Sequence, residues 1–437
     1  MFFRIPQMTW NRLRNHRITQ TIPYWIAAVM VGFLATGYAI LFNWISKFSS
    51  NWFSEFPWLI FIIAPAAFLI GWLLVIRFAP AAAGSGIPQV LAAIELSSDR
   101  EKEIRGLLRI RVAVVKIVSS FFCLLGGGAI GREGPTLQIS ASIFNFVGNR
   151  VRKIWPDTDH RSWIVAGGAA GIASAFNTPL GGIVYAIEEL SSVHFYKFKM
   201  TALSAVIVSG LISQAVLGTY LYLGYPNVPS TGFDIIPLVL FVGLVSGSAG
   251  ACFGKSLFQL SNMIRLRVIG QKKIFVPLVS GLLLASLYFF VDRRSIGSGS
   301  EINSDLLFGG EGHSSLALIF SRFASSLLSY LSGCAGGIFA PSLSIGASIG
   351  AEISKFLGND QQNILILSGM VGFLTAVTHC PFTSVVLILE MTDHHSAIFP
   401  LMAAALVAQG VAFSFDSKSF YEKAKIFYLP ADMIKTK

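Results

Sequence analysis

Ten apolar runs take up most of the chain, near residues 25–45, 57–78, 107–130, 163–187, 200–223, 234–253, 275–291, 315–331, 363–390 and 397–414. A helix needs about 20 such residues to cross the hydrocarbon of a bilayer. The pattern therefore predicts an all-α polytopic membrane protein, because only helices and closed barrels satisfy their backbone within lipid. Composition excludes the main alternatives. Of the 437 residues 13% are charged and 54% hydrophobic, with mean hydropathy +0.66, against about 25% charged in a soluble domain. A soluble enzyme, a disordered chain and a collagenous fibre are all disfavoured. The net charge of +11 comes from Lys and Arg scattered between the apolar runs. It fits membrane orientation and no nucleic-acid partner.

The N-terminal stretch holds Arg4, Arg12, Arg14 and Arg17 ahead of the first run and lacks a small-residue cleavage site. It reads as a retained span with its N-terminus in the cytoplasm. Cys123, Cys252, Cys334 and Cys380 lie far apart with no CxxC pair, so neither a disulfide framework nor a metal site is expected, and they read as small apolar packing residues. Polar connections near 96–106, 150–161, 226–233, 292–314 and 357–363 are too short to form domains.

Several runs are cut by Gly and Pro clusters, at 126–135, 177–182, 333–341 and 380–381. Backbone that leaves the helix at membrane depth is tolerated only where protein buries it or an aqueous cavity lies beside it. Each break is thus a candidate ion or substrate site. Two of the breaks repeat. Pro135-Thr-Leu-Gln-Ile-Ser-Ala-Ser-Ile143 aligns with Pro341-Ser-Leu-Ser-Ile-Gly-Ala-Ser-Ile349, identical at six of nine positions with an offset of 206. The stretch 177–188 aligns with 379–390 at an offset of 202, matching both Pro and Glu. A weaker pair, Gly84-Ser85-Gly86 and Gly297-Ser298-Gly299, precedes the others in each half. The expected organisation is a segment 1–23, half-repeats at 24–225 and 226–416, and a short C-terminal segment 417–437. Such halves in transporters commonly meet at a midplane site made from helix breaks.

The breaks carry a specific chemistry. Gly131-Arg132-Glu133-Gly134-Pro135 and Gly337-Ile338-Phe339-Ala340-Pro341 are Gly-x-x-x-Pro elements. Proline suits the first turn of a helix, and glycine lets backbone approach a ligand closely. The first N–H groups of a helix lack intrahelical partners and carry its positive dipole end, so two facing ends can hold an anion. Gly84-Ser85-Gly86-Ile87-Pro88 adds a hydroxyl donor. Gly-mediated helix packing is the competing account of all three motifs.

Glu133 would compete with an anion for the same donors, acting as a protonatable gate, or else it caps the helix. Glu188 has a repeat counterpart in Glu390, whereas Glu189 aligns with Met391. The paired glutamates are therefore assigned a structural task, and Glu189 is either a functional addition or a solvated helix-end charge. Lys116, inside an apolar run, either raises the potential for anions or snorkels to an interface.

With these motifs in order, the chain resembles the CLC chloride channels and proton-coupled chloride transporters over nearly its whole apolar length. The resemblance implies a homodimer with one anion pathway per subunit, and an inverted repeat of many tilted and broken helices. It places the subunit interface at helices near 178–190, 200–216, 381–392 and 398–415. It likens Ser85, the backbone of Ile338 and Phe339, and Tyr421 to ligands of a central anion, and Glu133 and Glu189 to the external gate and the internal proton-transfer glutamate. Lys116 matches the family's basic residue ahead of the gate. Gly84, Gly86, Pro88, Gly131, Arg132, Gly134, Pro135, Gly337 and Pro341 support the three motifs. Cys334-Ala335 stands where relatives often carry a proline, and Ser85 is similar to chloride-preferring members. The absence of a CBS pair resembles a prokaryotic member, which implies a bacterial inner-membrane location and no nucleotide regulation. Transported chloride and protons are expected, with no cofactor.

Chloride–proton exchange is the leading function, and a passive chloride channel on the same scaffold is the alternative. A membrane-embedded enzyme would need a nucleophile and base or metal ligands brought together, and a sodium-coupled carrier of organic solutes would place Asp, Asn and Thr at the breaks.

Overall fold

A computed structural model describes residues 17–96, 100–153, 160–190, 200–218, 222–228, 233–309, 314–358 and 361–434. The chain forms α1 (Arg17–Glu55), α2 (Ile60–Phe78), α3 (Ile87–Glu95), α4 (Glu101–Leu107), α5 (Ile110–Leu125), α6 (Glu133–Val151), α7 (His160–Phe176) and α8 (Pro179–Tyr185). It continues with α9 (Met200–Leu217), α10 (Ile236–Arg267), α11 (Phe275–Phe290), α12 (Ser300–Phe308), α13 (Leu316–Leu331), α14 (Phe339–Leu357) and α15 (Gln362–Thr378). Last come α16 (Pro381–Thr392), α17 (Ile398–Phe415), α18 (Phe420–Ala424) and α19 (Ala431–Ile434). Among the described residues, six helices are long and apolar enough to cross a membrane.

Helix lengths repeat between the halves. The 9-residue α3 matches α12 at an offset of 213, and the 16-residue α5 matches α13 at 206. The 19-residue α6 matches α14 at 206, the 17-residue α7 matches α15 at 202, and the 18-residue α9 matches α17 at 198. Contacts between the halves are reciprocal, as a local two-fold axis requires. Gly131 and Gly337, 206 positions apart, donate to each other's carbonyls at 2.8 Å each. Ala335 N–H donates to Ser119 Oγ (3.1 Å), and its counterpart Ala129 N–H donates to Ser329 Oγ (2.8 Å), one helical turn beyond Ser325, the counterpart of Ser119.

Glu188 and Glu390 cap each other's half. The Glu188 carboxylate accepts from the N–H groups of Phe382 (3.2 Å) and Thr383 (2.7 Å) in the first turn of α16. The Glu390 carboxylate accepts from Leu180 (3.1 Å) and Gly181 (2.8 Å) in the first turn of α8. Each carboxylate satisfies two orphan donors and meets a positive dipole end. Replacing Glu390 with Gln turns an ionised acceptor into a neutral amide, and about 1–2 kcal/mol of stability should be lost. The fall in the thermal unfolding midpoint in detergent measures it, and an unchanged midpoint would remove the cap from the stability account.

The breaks expected at 126–135, 177–182 and 380–381 are present: the run at 107–130 ends as a helix at Leu125, and the runs at 163–187 and 363–390 are each broken in the middle. Those two breaks fall at Asn177 and His379, counterparts with φ of 59° and 58°, the left-handed turn that ends helices. The connections at 96–106 and 292–314 contain α4 and α12, and α1 begins at Arg17 inside the expected N-terminal segment. Arg4, Arg12 and Arg14 lie outside the described residues. The interior helices α6 and α14 escaped the apolar pattern because small and polar residues suit a helix enclosed by protein. Their neighbours come close enough that an added Cβ on Gly350 of α14 would meet Ile366 Cα at 2.8 Å, and one on Gly167 of α7 would meet Ala141 Cα of α6 at 2.9 Å. Such small-residue packing is how membrane helices gain dispersion contact.

Candidate ion site at the helix breaks

Three broken-helix loops are laced into one unit. Gly84 N–H donates to the Cys334 carbonyl (2.9 Å) and Gly336 N–H to the Gly84 carbonyl (3.1 Å), while the Gly131–Gly337 pair joins the remaining loop. The Cys334-Ala335 variation leaves these donors in place. The N-termini of α3, α6 and α14 are thereby brought together. Gly86, with φ of 103°, turns the chain into α3, and an added Cβ on Gly134 would collide with Ser85 Oγ and lie 2.9 Å from its carbonyl. The first turn of α6 consequently lies directly on Ser85. Pro88, Pro135 and Pro341 all sit in the first turns of their helices, where a missing N–H costs nothing.

Ser85 Oγ is buried without a hydrogen-bond partner, and so is the hydroxyl of Tyr421 on α18, which faces it. Buried polar atoms rarely remain unpaired. The repeat counterpart behaves differently: Ser298 Oγ is paired with the Ser300 hydroxyl at 3.2 Å. One half therefore presents a donor toward the helix N-termini, and the other half uses it internally. Both carboxylate oxygens of Glu133 are also buried and unpartnered. An added Cβ on Gly131 would collide with Glu133 Oε2 and lie 3.1 Å from Ala340 N, so the carboxylate lies between its own loop and the first turn of α14. Ile338 and Phe339 are fully buried beside it. The Phe339 ring packs 5.4 Å from Phe176 and 6.4 Å from Tyr185.

Arg132, next to the gate candidate, donates to the carbonyls of Ala39 (3.0 Å) and Ala175 (3.4 Å) and lies over the Tyr222 ring at 5.8 Å. Lys116 does not snorkel. It is fully buried and donates to the Gly84 carbonyl at 2.8 Å, one residue from Ser85. Its counterpart at an offset of 206 is Arg322, which sequence reasoning passed over although that offset points directly to it. Arg322 is fully buried and donates to the carbonyls of Ser295 (3.2 Å), Ile296 (2.8 Å) and Gly297 (3.0 Å) and to Ser344 Oγ (3.1 Å). Each half thus pins its Gly-Ser-Gly loop with a buried cation. Arg322→Met should strand three carbonyls and cost about 3 kcal/mol or more, read as a lower thermal midpoint in detergent; an unchanged midpoint would show that the loop holds without the cation.

At the far end of α8 the chain makes one π-helical turn, Ala186–Leu190, a local widening frequent at functional sites. This turn carries both inner glutamates. Glu188 caps α16, whereas Glu189 Oε2 lies 3.1 Å from Cys380 Sγ. Reading Cys380 as a packing residue alone therefore misses a polar contact. Cys252 is exposed, which also departs from that reading. The hydroxyls of Tyr185 and Tyr421 are buried and unpartnered, and Tyr421 lies within electrostatic range of both Glu133 and Glu189. Tyr185 was absent from the sequence-derived set because an aromatic residue in an apolar run carries no polar signal.

A helical membrane domain whose broken helices aim their N-termini, two free hydroxyls and a buried carboxylate at one place has the form of an anion-handling transport protein. The chain belongs to the voltage gated chloride channel, or CLC, family, whose sequence model matches residues 66–412. It is 29% identical over 407 residues to the H(+)/Cl(-) exchange transporter ClcA of Vibrio parahaemolyticus, covering 89% of this chain and 85% of that protein. It is 30% identical over 378 residues to ClcA of Yersinia pestis, covering 83% and 76%. The crystal structure of a slow cyanobacterial Cl-/H+ antiporter matches the fold with a TM-score of 0.78 and 24% identity, covering 95% of this chain and 98% of that one.

Proposed function

We propose that the chain exchanges chloride for protons across a membrane. The observation that carries this reading is the place of the Glu133 carboxylate, buried and unpartnered against the helix N-termini beside two unpaired hydroxyls. An ionised carboxylate there uses the donors an anion needs, and protonation removes its claim on them. Chloride then takes the donors: the Ser85 and Tyr421 hydroxyls and the backbone N–H groups of Ile338 and Phe339. Lys116 raises the potential beside Ser85, and Arg132 fixes the loop before the gate. Glu189 passes protons to the inner side. Two relatives named as H(+)/Cl(-) exchange transporters support exchange over passive conduction.

The halves are assigned to 24–225 and 226–416, flanked by segments 1–23 and 417–437. Support comes from the equal helix lengths and from the division falling between α9 and α10. The protein acts as a homodimer through the faces of α8, α9, α16 and α17, where Leu180, Leu211, Phe382 and Phe399 are exposed. It resides in a bacterial inner membrane with the N-terminus in the cytoplasm, and it needs no cofactor. The test is reconstitution into liposomes with an outward chloride gradient while external pH is recorded. Proton uptake driven by chloride efflux is the expected result. Chloride efflux without proton movement would make the protein a channel.

A further inference from the structure

The caps of Glu188 and Glu390 and the Gly131–Gly337 bonds are paired between the halves, whereas the contact between Cys380 and Glu189 has no repeat counterpart. Cys380 precedes the first residue of α16 and is 2% exposed. At the 202 offset its counterpart is Thr178, and the counterpart of Glu189 is Met391. The thiol–carboxylate contact is thus replaced in the other half by a threonine and a thioether, and Thr178 Oγ1 is left buried without a partner. The reciprocal caps of Glu188 and Glu390 already hold both helix junctions, and the thiol–carboxylate contact is added to one of them only.

A thiol has one proton to give. Two acceptors lie within reach of Cys380 Sγ, Glu189 Oε2 at 3.1 Å and the Thr378 carbonyl at 3.5 Å. The nearer acceptor is the one that carries charge when ionised, and charge-assisted bonds are the stronger. We propose that Cys380 is a positioning residue for the inner proton-transfer step: its S–H donates to Glu189 Oε2, holding the carboxylate at the junction of α8 and α16 and setting the pH range over which it takes up and releases protons. This rests on the assignment of Glu189 to proton transfer. The other ionisable groups facing Glu189 are Glu188 and Tyr185 from its own helix, Tyr421 and Glu422 from α18, and Lys425 just beyond it. They stay constant when the thiol is changed.

The experiment measures proton-coupled chloride efflux from liposomes across pH 5–8 (about the range in which carboxylates of perturbed affinity titrate). It compares wild type with Cys380→Ala, Cys380→Val and Cys380→Ser. Without the thiol donor the neutral carboxylate persists to higher pH. The alkaline limb of the coupled-rate profile should therefore move upward by about half a unit, a roughly threefold change in proton affinity, in both Ala and Val variants. Ser keeps a donor and should follow wild type. In a Glu189→Gln background, where coupling is lost, the Cys380 substitutions should leave the pH profile of the remaining chloride efflux unmoved. Val serves as a second donorless variant of larger volume should Ala pack poorly. Ala and Val profiles lying on the wild-type profile would overturn the proposal, and so would a Ser variant displaced as far as Ala, which would reduce the effect to packing. Proton coupling surviving in Glu189→Gln alone would instead overturn the role of Glu189 itself.

Discussion

Glu189→Gln is expected to leave chloride efflux running while proton uptake falls at least about tenfold, to the level of empty liposomes, because a general acid–base group has been replaced by one that cannot exchange a proton. The amide is nearly isosteric, and its carbonyl can still accept from Cys380, so the π turn and the cap made by Glu188 should persist. Chloride movement is expected not to depend on this residue, because the candidate anion donors at Ser85, Tyr421, Ile338 and Phe339 belong to other elements. Parallel chloride-electrode and external-pH recordings separate the two fluxes. Loss of both together would mean that Glu189 supports the fold or the anion path; retention of both would return it to a helix-end charge.

Glu133→Gln has the second large effect, with a different signature. With Glu133 as the proposed gate, a falling pH in wild type should neutralise the carboxylate, free the helix N-termini and speed chloride movement, by up to about tenfold per pH unit where the group titrates. Glutamine is neutral at every pH, so chloride efflux should become flat with pH at the fast, acid-side rate, and proton coupling should vanish. The measurement is chloride efflux from pH 4.5 to 8 (about the span a buried carboxylate can cover) with simultaneous external pH. A pH dependence surviving in the Gln variant would place the gate elsewhere, and slow flux at all pH values would favour Glu133 as a helix cap. Glu189→Gln, by contrast, should retain the pH dependence of chloride movement while losing coupling.

A good part of this site was legible in the residues. The 206 and 202 offsets locate both pairs of broken helices, and they separate Glu188 and Glu390 from Glu189. The same offsets pair Lys116 with Arg322, but by itself a cation in an apolar run reads equally as a charge that attracts anions or as a snorkelling side chain. The interior helices α6 and α14 were hidden for another reason. Hydropathy reports contact with lipid, and a helix enclosed by other helices is selected for small size and close approach, as Gly167 and Gly350 show.

What the linear pattern establishes is whatever repeats or follows from local chemistry: spanning helices from apolar length, breaks from Gly and Pro, a two-fold plan from internal similarity, and the positive N-termini that follow each break. Partner identities required the folded chain. Nothing local says that Glu390 caps α8 across 209 positions, that Lys116 donates to Gly84, or that the Cys380 thiol meets Glu189. Hydrogen bonds reach about 3 Å, so such pairings depend on how helices distant in sequence are set against one another. That placement comes from packing summed over the whole membrane domain.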